Sequence, residues 1–492
     1  MNVNLMFRDR NVEFGVLGTF GKELLLADLE LPRILKAMSA GDETIYSACE
    51  TALFQPLTDI ARIKYRQDIL ADARRSPEVV RALYSVVVDA TTSQNHSFRA
   101  FSTTASSSLY RSALDFLSDF INGLFALRQI ADKSGKGFTS EGLRNLFDLF
   151  QREMDDAYFK KVREKLRELQ DAGDETYFSA KLGHYLQGVN YVFRKTDRHA
   201  KRAWRTAASY TIPDKEEQTG QRDFSSRSDR ALNEVANTLA AAAKSLDSFY
   251  TLLRNELAFY IGCLNLEDAL AAENKPVCMP ELLPMPGFER YGRQLYDVSL
   301  VLTKKTTVVA GDFDSHGRPL MIITGANQGG KSTFLRSIGQ AQIMAQAGMI
   351  VGGEVCRFPI RSGLFTHFKR EEDSRMKSGK LDEELTRLAR ALEFIKPGAV
   401  VMFNESFAST NEREGSEILR QITRAFREIG VEIFSVTHLY AYSESYMSNP
   451  ETLYLRAQRL ESGERTFLIE EGLPQVTAYG EDLYNEIFGE KA

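Results

Sequence analysis

Leu320-Met-Ile-Ile-Thr-Gly325-Ala-Asn-Gln-Gly-Gly330-Lys331-Ser332-Thr333 is an apolar run that breaks into a glycine-rich turn and ends on Lys-Ser-Thr. Residues Gly325–Ser332 fit G-x-x-x-x-G-K-[ST], a pattern that carries weight only between a strand and a helix. Both flanks are present: Leu320–Ile323 reads as a buried strand, and a helical pattern starts at Lys331. Average residue frequencies produce such a match by chance in about 2% of chains this long, before the flanks are counted. The residue types suit a polyphosphate. Gly325, Gly329 and Gly330 let the backbone curl so that N–H groups, including those of Ala326, Asn327 and Gln328, point inward. The helix that follows aims its positive end, with Thr333 in its first turn, at the same point. Lys331 offers a point charge to the β- and γ-phosphates, and the Ser332 hydroxyl a ligand for magnesium. The expected ligands are ATP and Mg2+.

Hydrolysis needs a magnesium partner and a group that positions water. Ala399-Val-Val-Met-Phe403 reads as a second strand and ends in Asn404-Glu405. Nucleotide hydrolases of this kind present Asp-Glu there. Asn404 offers an amide oxygen without negative charge, so Ser332, Asn404 and Glu405 are the expected metal-side residues and Glu405 the expected general base. A third strand, Glu432–Val436, ends in Thr437-His438, where an imidazole can donate to the γ-phosphate and sense its loss. Lys331, Glu405 and His438 form the expected catalytic set. The bland alternatives are an ordinary polar pair at a strand end and a structural histidine.

At 492 residues the chain is too long for one core. A net charge of −5 means that any contact with nucleic acid is local. Cys49, Cys263, Cys278 and Cys356 show no metal spacing and read as reduced thiols. No signal core and no 18-residue apolar run is found, so a cytoplasmic protein without membrane spans is expected. The first 50 residues are hard to assign. Residues 51–275 read as mostly helical, with Leu232, Val235, Leu239, Leu246, Phe249, Leu253 and Leu257 in one buried stripe. Thr91–Ser108 reads as a loop or connector, and Tyr210–Arg227 as a surface loop or hairpin. Asn274–Gly292, with four of the 13 prolines, reads as a linker into an α/β domain over residues 276–492. The expected class is α + α/β: an all-α region followed by a P-loop ATPase domain with a parallel sheet.

Together these pieces resemble the MutS family of DNA mismatch-repair ATPases. TGANQGGKSTFLRSIGQAQIMAQAG resembles its phosphate loop, FNESFASTNEREGSEI its second magnesium motif, and SVTHLY its Thr-His switch. Glu405, Thr410 and Gly415 match the second motif. Asn404 stands where the family has Asp, and Phe407-Ala-Ser409 replaces Gly-Arg-Gly. ESGERTFLIEEGLPQVTAYGEDL is similar to the end of the ATPase domain, with Tyr479-Gly480 at its Ser/Tyr-Gly motif. FQPLTDIARIKYRQDIL and SAKLGHYLQGVNYVFRK resemble parts of the helical core and lever. The likeness runs from about residue 45 onward and implies an ABC-type ATPase domain behind a helical lever. About 50 residues precede the helical region, too few for the family's mismatch-reading domain, and no Smr-type nuclease segment is recognised. The expectation is an engine and lever without the mismatch sensor.

The resemblance also implies a homodimer in which Asp373–Glu384 completes the partner's site, through Ser378 and Gly379; an exposed polar loop is the alternative. The implied function is ATP-dependent binding of duplex, mismatched or branched DNA, in mismatch repair or recombination. The basic run Arg194, Lys195, Arg198, His199, Lys201, Arg202 and Arg205, with Trp204 inside it, is either a phosphate contact or a solvated face. Two other functions stay open: an ABC-type switch acting on a partner other than DNA, and an ATP-holding module without turnover.

Overall fold

The computed structural model describes residues 3–12, 21–92, 106–174, 177–182, 184, 188–194, 217–303, 308–370, 379–459 and 465–475. Two compact units divide the chain: Met1–Leu5 with Arg75–Leu257, and Met6–Arg74 with Ala258–Ala492.

The first unit is built from helices Pro77–Thr92, Ser106–Ser134, Glu141–Glu153 and Asp156–Asp174, and from the long helix Glu217–Ala271 as far as Leu257. Leu232, Phe249, Leu253 and Leu257 of the expected stripe are buried, and Val235 and Leu239 pack beside them. Tyr250 lies flat on Phe120, with ring centroids 5.1 Å apart, and its hydroxyl donates to the Phe120 carbonyl. Two expectations change here. Residues 217–227 are helical, because no proline follows Pro213 to stop the helix from running back to Glu217. Strands β1 (Tyr177–Leu182) and β2 (Gly188–Arg194) form an antiparallel hairpin with one register shift. This segment was expected to be helical, but its density of β-branched and aromatic residues suits strands. The basic run beyond Arg194 lies outside the described residues.

In the second unit the strands are β3 (Val277–Cys278), β4 (Glu281–Leu283), β5 (Tyr291–Leu295), β6 (Gly311–Asp314), β7 (Leu320–Thr324), β8 (Val351–Gly352), β9 (Val355–Pro359), β10 (Leu364–Phe368), β11 (Val400–Asn404), β12 (Glu432–Val436), β13 (Thr452–Arg459) and β14 (Arg465–Glu471). Six of them form one sheet in the order β10-β11-β12-β7-β13-β14. The first five run parallel and β14 antiparallel. β7 and β12 are buried at every position, as expected when helices cover both faces of a parallel sheet. The three strands read from sequence lie here, together with β10 and β13.

The proline-rich stretch after Asn274 is not a free linker. β3 pairs with β8, and β4 with β9, so it is edge structure of the second unit. The N-terminal residues also belong here. Leu29, just after helix Lys22–Asp28, packs flush on helix Lys331–Gln346: a Cβ at Gly339 would come within 2.7 Å of its side chain. Arg336 pairs with Glu30 at 2.7 Å, Arg66 donates to the Ala347 carbonyl at 3.1 Å, and Gln346 to that of Leu57 at 2.9 Å. The expected division into residues 1–50, 51–275 and 276–492 is therefore not the division into compact units. Packing puts residues 6–74 with the sheet.

Under the sheet, Glu432 is fully buried between Arg290 and Arg361, each 2.7 Å away. Gln342 accepts from Arg290 at 2.6 Å, and Gln346 accepts from the Arg361 backbone. Buried charges persist only when paired and hydrogen-bonded. The polar residues of GQAQIMAQ are thus brackets inside the core.

Candidate nucleotide site

The carboxyl ends of parallel strands form the crevice where ligands bind in such sheets. The glycine-rich loop leaves β7 there. Gly325, Gln328 and Gly330 adopt positive φ values of 116°, 58° and 91°, which turns successive N–H groups to one side. Side chains are excluded by close neighbours. A Cβ on Gly330 would meet the Phe467 carbonyl at 3.0 Å, and one on Gly329 would meet Ala457 at 2.8 Å. The β13–β14 pair thus clamps the loop from outside, and Arg465 adds a 2.9 Å bond to Gln328.

The Lys331 ammonium folds over the loop and donates to the carbonyls of Gly325 and Ala326, at 2.8 Å each. Burial pushes its pKa down to about 8, with the Glu405 carboxylate pulling the other way. One helical position on, the Ser332 hydroxyl donates to Asn404 Oδ1 at 3.1 Å. Thr333 lies in the first helical turn.

Glu405 follows β11 with φ 53°, and its backbone N–H donates to Val436 at the end of β12. Its carboxylate lies 3.5 Å from His438 Nε2 and 3.8 Å from Lys369 Nζ. The His438 hydrogen bond is the main reason that this carboxyl titrates below its ordinary value; burial opposes it, and Lys369 and Lys331 assist. Glu405 is therefore ionised and set between three nitrogen groups.

The segment after Glu405 is braced from below. The Ser406 hydroxyl donates to the His367 carbonyl at 2.6 Å and lies 2.7 Å from His367 Nδ1. Buried Glu384, on helix Lys380–Leu392, accepts from the Phe407 N–H at 2.6 Å and from the Ser409 hydroxyl at 3.4 Å. His367 stacks on Phe407 and is pushed down to about 4 by burial, so it stays neutral. Phe407 is itself left-handed, at φ 59°. Gly415 lets helix Glu412–Glu428 lie against the Phe407 carbonyl, where any Cβ would collide.

A cleft of about 410 Å3 joins these parts. Gln328, Gly329, Gly330, Lys331, Ser332, Thr333 and Glu405 form one wall, and Tyr296, Val308, Phe334 and Leu468 supply apolar surface. Of the residues expected from sequence, Lys331, Ser332, Asn404, Glu405 and His438 meet here. Asn327 is exposed on the loop. Gly379 caps helix Lys380–Leu392, whereas Ser378 and Tyr479-Gly480 lie outside the described residues. Lys369 and His367 carry no expectation from the sequence, and Glu384, expected in the Asp373–Glu384 loop, is buried on helix Lys380–Leu392 instead. The aromatic and β-branched residues of Leu364–Phe368 after Gly363 are the available signal, since they mark β10, whose end places Lys369.

The converging oxygens of Ser332 and Asn404 are both neutral, and among the described residues no three His, Cys, Asp or Glu side chains cluster as a metal cage. Such a pair fits a magnesium ion that arrives with phosphate oxygens and retains water, not one held by protein alone.

Comparison with known families fits this geometry. Residues 58–273 match the MutS2 N-terminal domain, and residues 321–475 match MutS domain V. The chain belongs to the MutS family. MutS protein homolog 4 of Mus musculus is 26% identical over 188 residues, which are 36% of this chain and 20% of that protein. DNA mismatch repair protein MutS of a Geobacillus strain is 29% identical over 188 residues, 37% and 22% of the two chains. Endonuclease MutS2 of Streptococcus equi subsp. equi is 26% identical over 137 residues, 28% and 17%. The alignments to this MutS-family chain thus span about a fifth of each relative's length. Among the described residues, no helix is long and apolar enough to cross a membrane.

Proposed function

We propose that this chain is an ATP-driven switch of the MutS type, with an ABC-type P-loop domain, that acts on DNA as a cytoplasmic homodimer in mismatch repair or recombination. The observation that carries this reading is the meeting of Ser332, Asn404, Glu405 and His438 around the loop that follows β7. Names among its relatives include mismatch repair, which favours a DNA substrate.

In this reading the loop N–H groups and Lys331 hold the phosphates. Ser332 and Asn404 face the magnesium ion that accompanies ATP, which supplies charge neutralisation there. Glu405, kept ionised, accepts the proton of a water that attacks the γ-phosphorus. His438 donates to a γ-phosphate oxygen and registers its departure. ADP and phosphate leave, and the dimer opens. The stretch Asp373–Glu384, through Ser378 and Gly379, would complete the neighbour's site, and the helical unit would act as the DNA clamp.

The test is binding to duplex, mismatched and branched DNA across a salt series. A clamp that neutralises phosphates loses affinity steeply as salt rises. An absent or salt-insensitive signal removes DNA as the substrate and favours a switch on another partner, a reading that the net charge of −5 supports. Lys331→Ala abolishes nucleotide binding if the site is assigned correctly. Asn404 favours one further reading, ATP binding without turnover, which a phosphate-release assay on the wild type decides.

A further inference from the structure

Protein charge at the Asn404-Glu405 corner does not balance. Two ammonium groups, Lys331 and Lys369, face the carboxylate of Glu405 there, and the position beside Ser332 holds neutral Asn404; Asp297 and Asp312 also line the cleft, with Asp297 paired to Arg336. With an aspartate there the count would be two against two. A hard divalent cation is held by anionic oxygens, and this site supplies one fewer of them. A polyphosphate is held by cations and N–H groups, and this site has one beyond the motif lysine.

Lys369 is not placed by chance. It follows β10, and its backbone N–H donates to the Asn404 carbonyl at 2.9 Å, which extends the ladder with β11 by one step. That bond fixes the base of the side chain beside the Asn404-Glu405 corner. The ammonium reaches Glu405 Oε2 at 3.8 Å, and the side chain is 42% exposed. Glu405 lines the cleft with Lys331 and Ser332. Lys369 thus stands one carboxylate away from the phosphate end, on a flexible four-carbon stem. At such separations a unit charge outweighs thermal energy even at an intermediate effective dielectric.

We infer that Lys369 is a second phosphate-side cation of this site, and that together with Asn404 it lets the chain bind ATP with little dependence on a divalent metal. The inference rests on the nucleotide reading above and deepens it. Turnover still uses magnesium; the change is in binding, where the metal's neutralising role passes partly to the protein.

The experiment measures ATP affinity by titration calorimetry on the full chain, in magnesium chloride and in EDTA, for wild type, Lys369→Met, Lys369→Arg and Asn404→Asp. For wild type the two affinities lie within about tenfold of each other. Lys369→Met weakens binding in EDTA by about tenfold and in magnesium by much less, so the ratio widens. Lys369→Arg keeps the wild-type ratio. Asn404→Asp widens it from the other side, by tightening binding in magnesium and weakening it in EDTA. An unchanged ratio in Lys369→Met overturns the inference and leaves the nucleotide site standing. Absence of ATP binding by wild type in either buffer overturns the site assignment itself.

Discussion

Lys331 is a desolvated ammonium whose neighbouring anion, Glu405, is shared with His438 and Lys369. With its pKa pushed down to about 8 by burial, the free protein begins to lose this charge within an accessible range. ATP binding needs the charged form. Affinity should be flat below pH 7 and fall as pH rises through about 8, by up to tenfold per unit; ATP titrations from pH 6.5 to 9.5 check this, and a flat profile would show that Lys331 stays fully charged. Folding responds with the opposite sign. The unfolded chain holds that proton to higher pH, so this residue adds stability as pH rises from about 8 toward the ordinary lysine value. Lys331, Ser332 and Glu405 are legible in the sequence because their spacing to strands and glycines is local. Lys369, His367 and Glu384 are not, because each reaches the site from another strand or helix some 20 to 40 positions away.

At the scale of elements, the segment after β11 is held in two successive kinks, at Glu405 and Phe407, by contacts that leave no spare volume. Helix Glu412–Glu428, capped by the Asn411 side chain on the Glu414 N–H, presses Gly415 onto the Phe407 carbonyl. Gly415→Ala should push that backbone away, cost on the order of 1–3 kcal/mol and lower the rate of ATP hydrolysis more than ATP affinity, because the binding loop lies on another strand. Thermal melts and separate kcat and Kd measurements test this; an equal loss in both would place Gly415 in binding instead. The buried strands are readable because each is a short, mostly apolar run of five residues that leads into polar groups. The hairpin β1–β2 and residues 217–227 differ from the sequence expectation. In the first, a likeness to a helical region competes with strand composition; in the second, solvated helix and loop share the same polar composition.

At the scale of the molecule, the second unit is assembled from two stretches of chain, Met6–Arg74 and Ala258–Ala492, separated in sequence by Arg75–Leu257. Helix Lys331–Gln346 is the reason. It carries Gln340 and Gln346, both buried, and these are satisfied by Leu29 and Asp297 and by Leu57 and Arg361 respectively. The N-terminal helices therefore complete the environment of the loop helix. With the proposed composite sites, Glu405→Gln should hold ATP without hydrolysis and accumulate a dimer. Sedimentation with and without ATP reads this directly, and a variant that stays monomeric in saturating ATP would remove the dimer from the mechanism.

The sequence alone determined the loop after β7, the two strands ending in Asn404-Glu405 and Thr437-His438, and membership of an ATPase family, because glycine geometry, apolar runs and strand-end chemistry are local in the chain. Only the tertiary structure decided three things: that residues 6–74 belong with the sheet, that Lys369 stands beside Glu405, and that Glu384 and His367 brace it. Each depends on which buried surfaces meet. That choice is made by packing and by hydrogen-bond satisfaction across long sequence separations, and no local pattern encodes it.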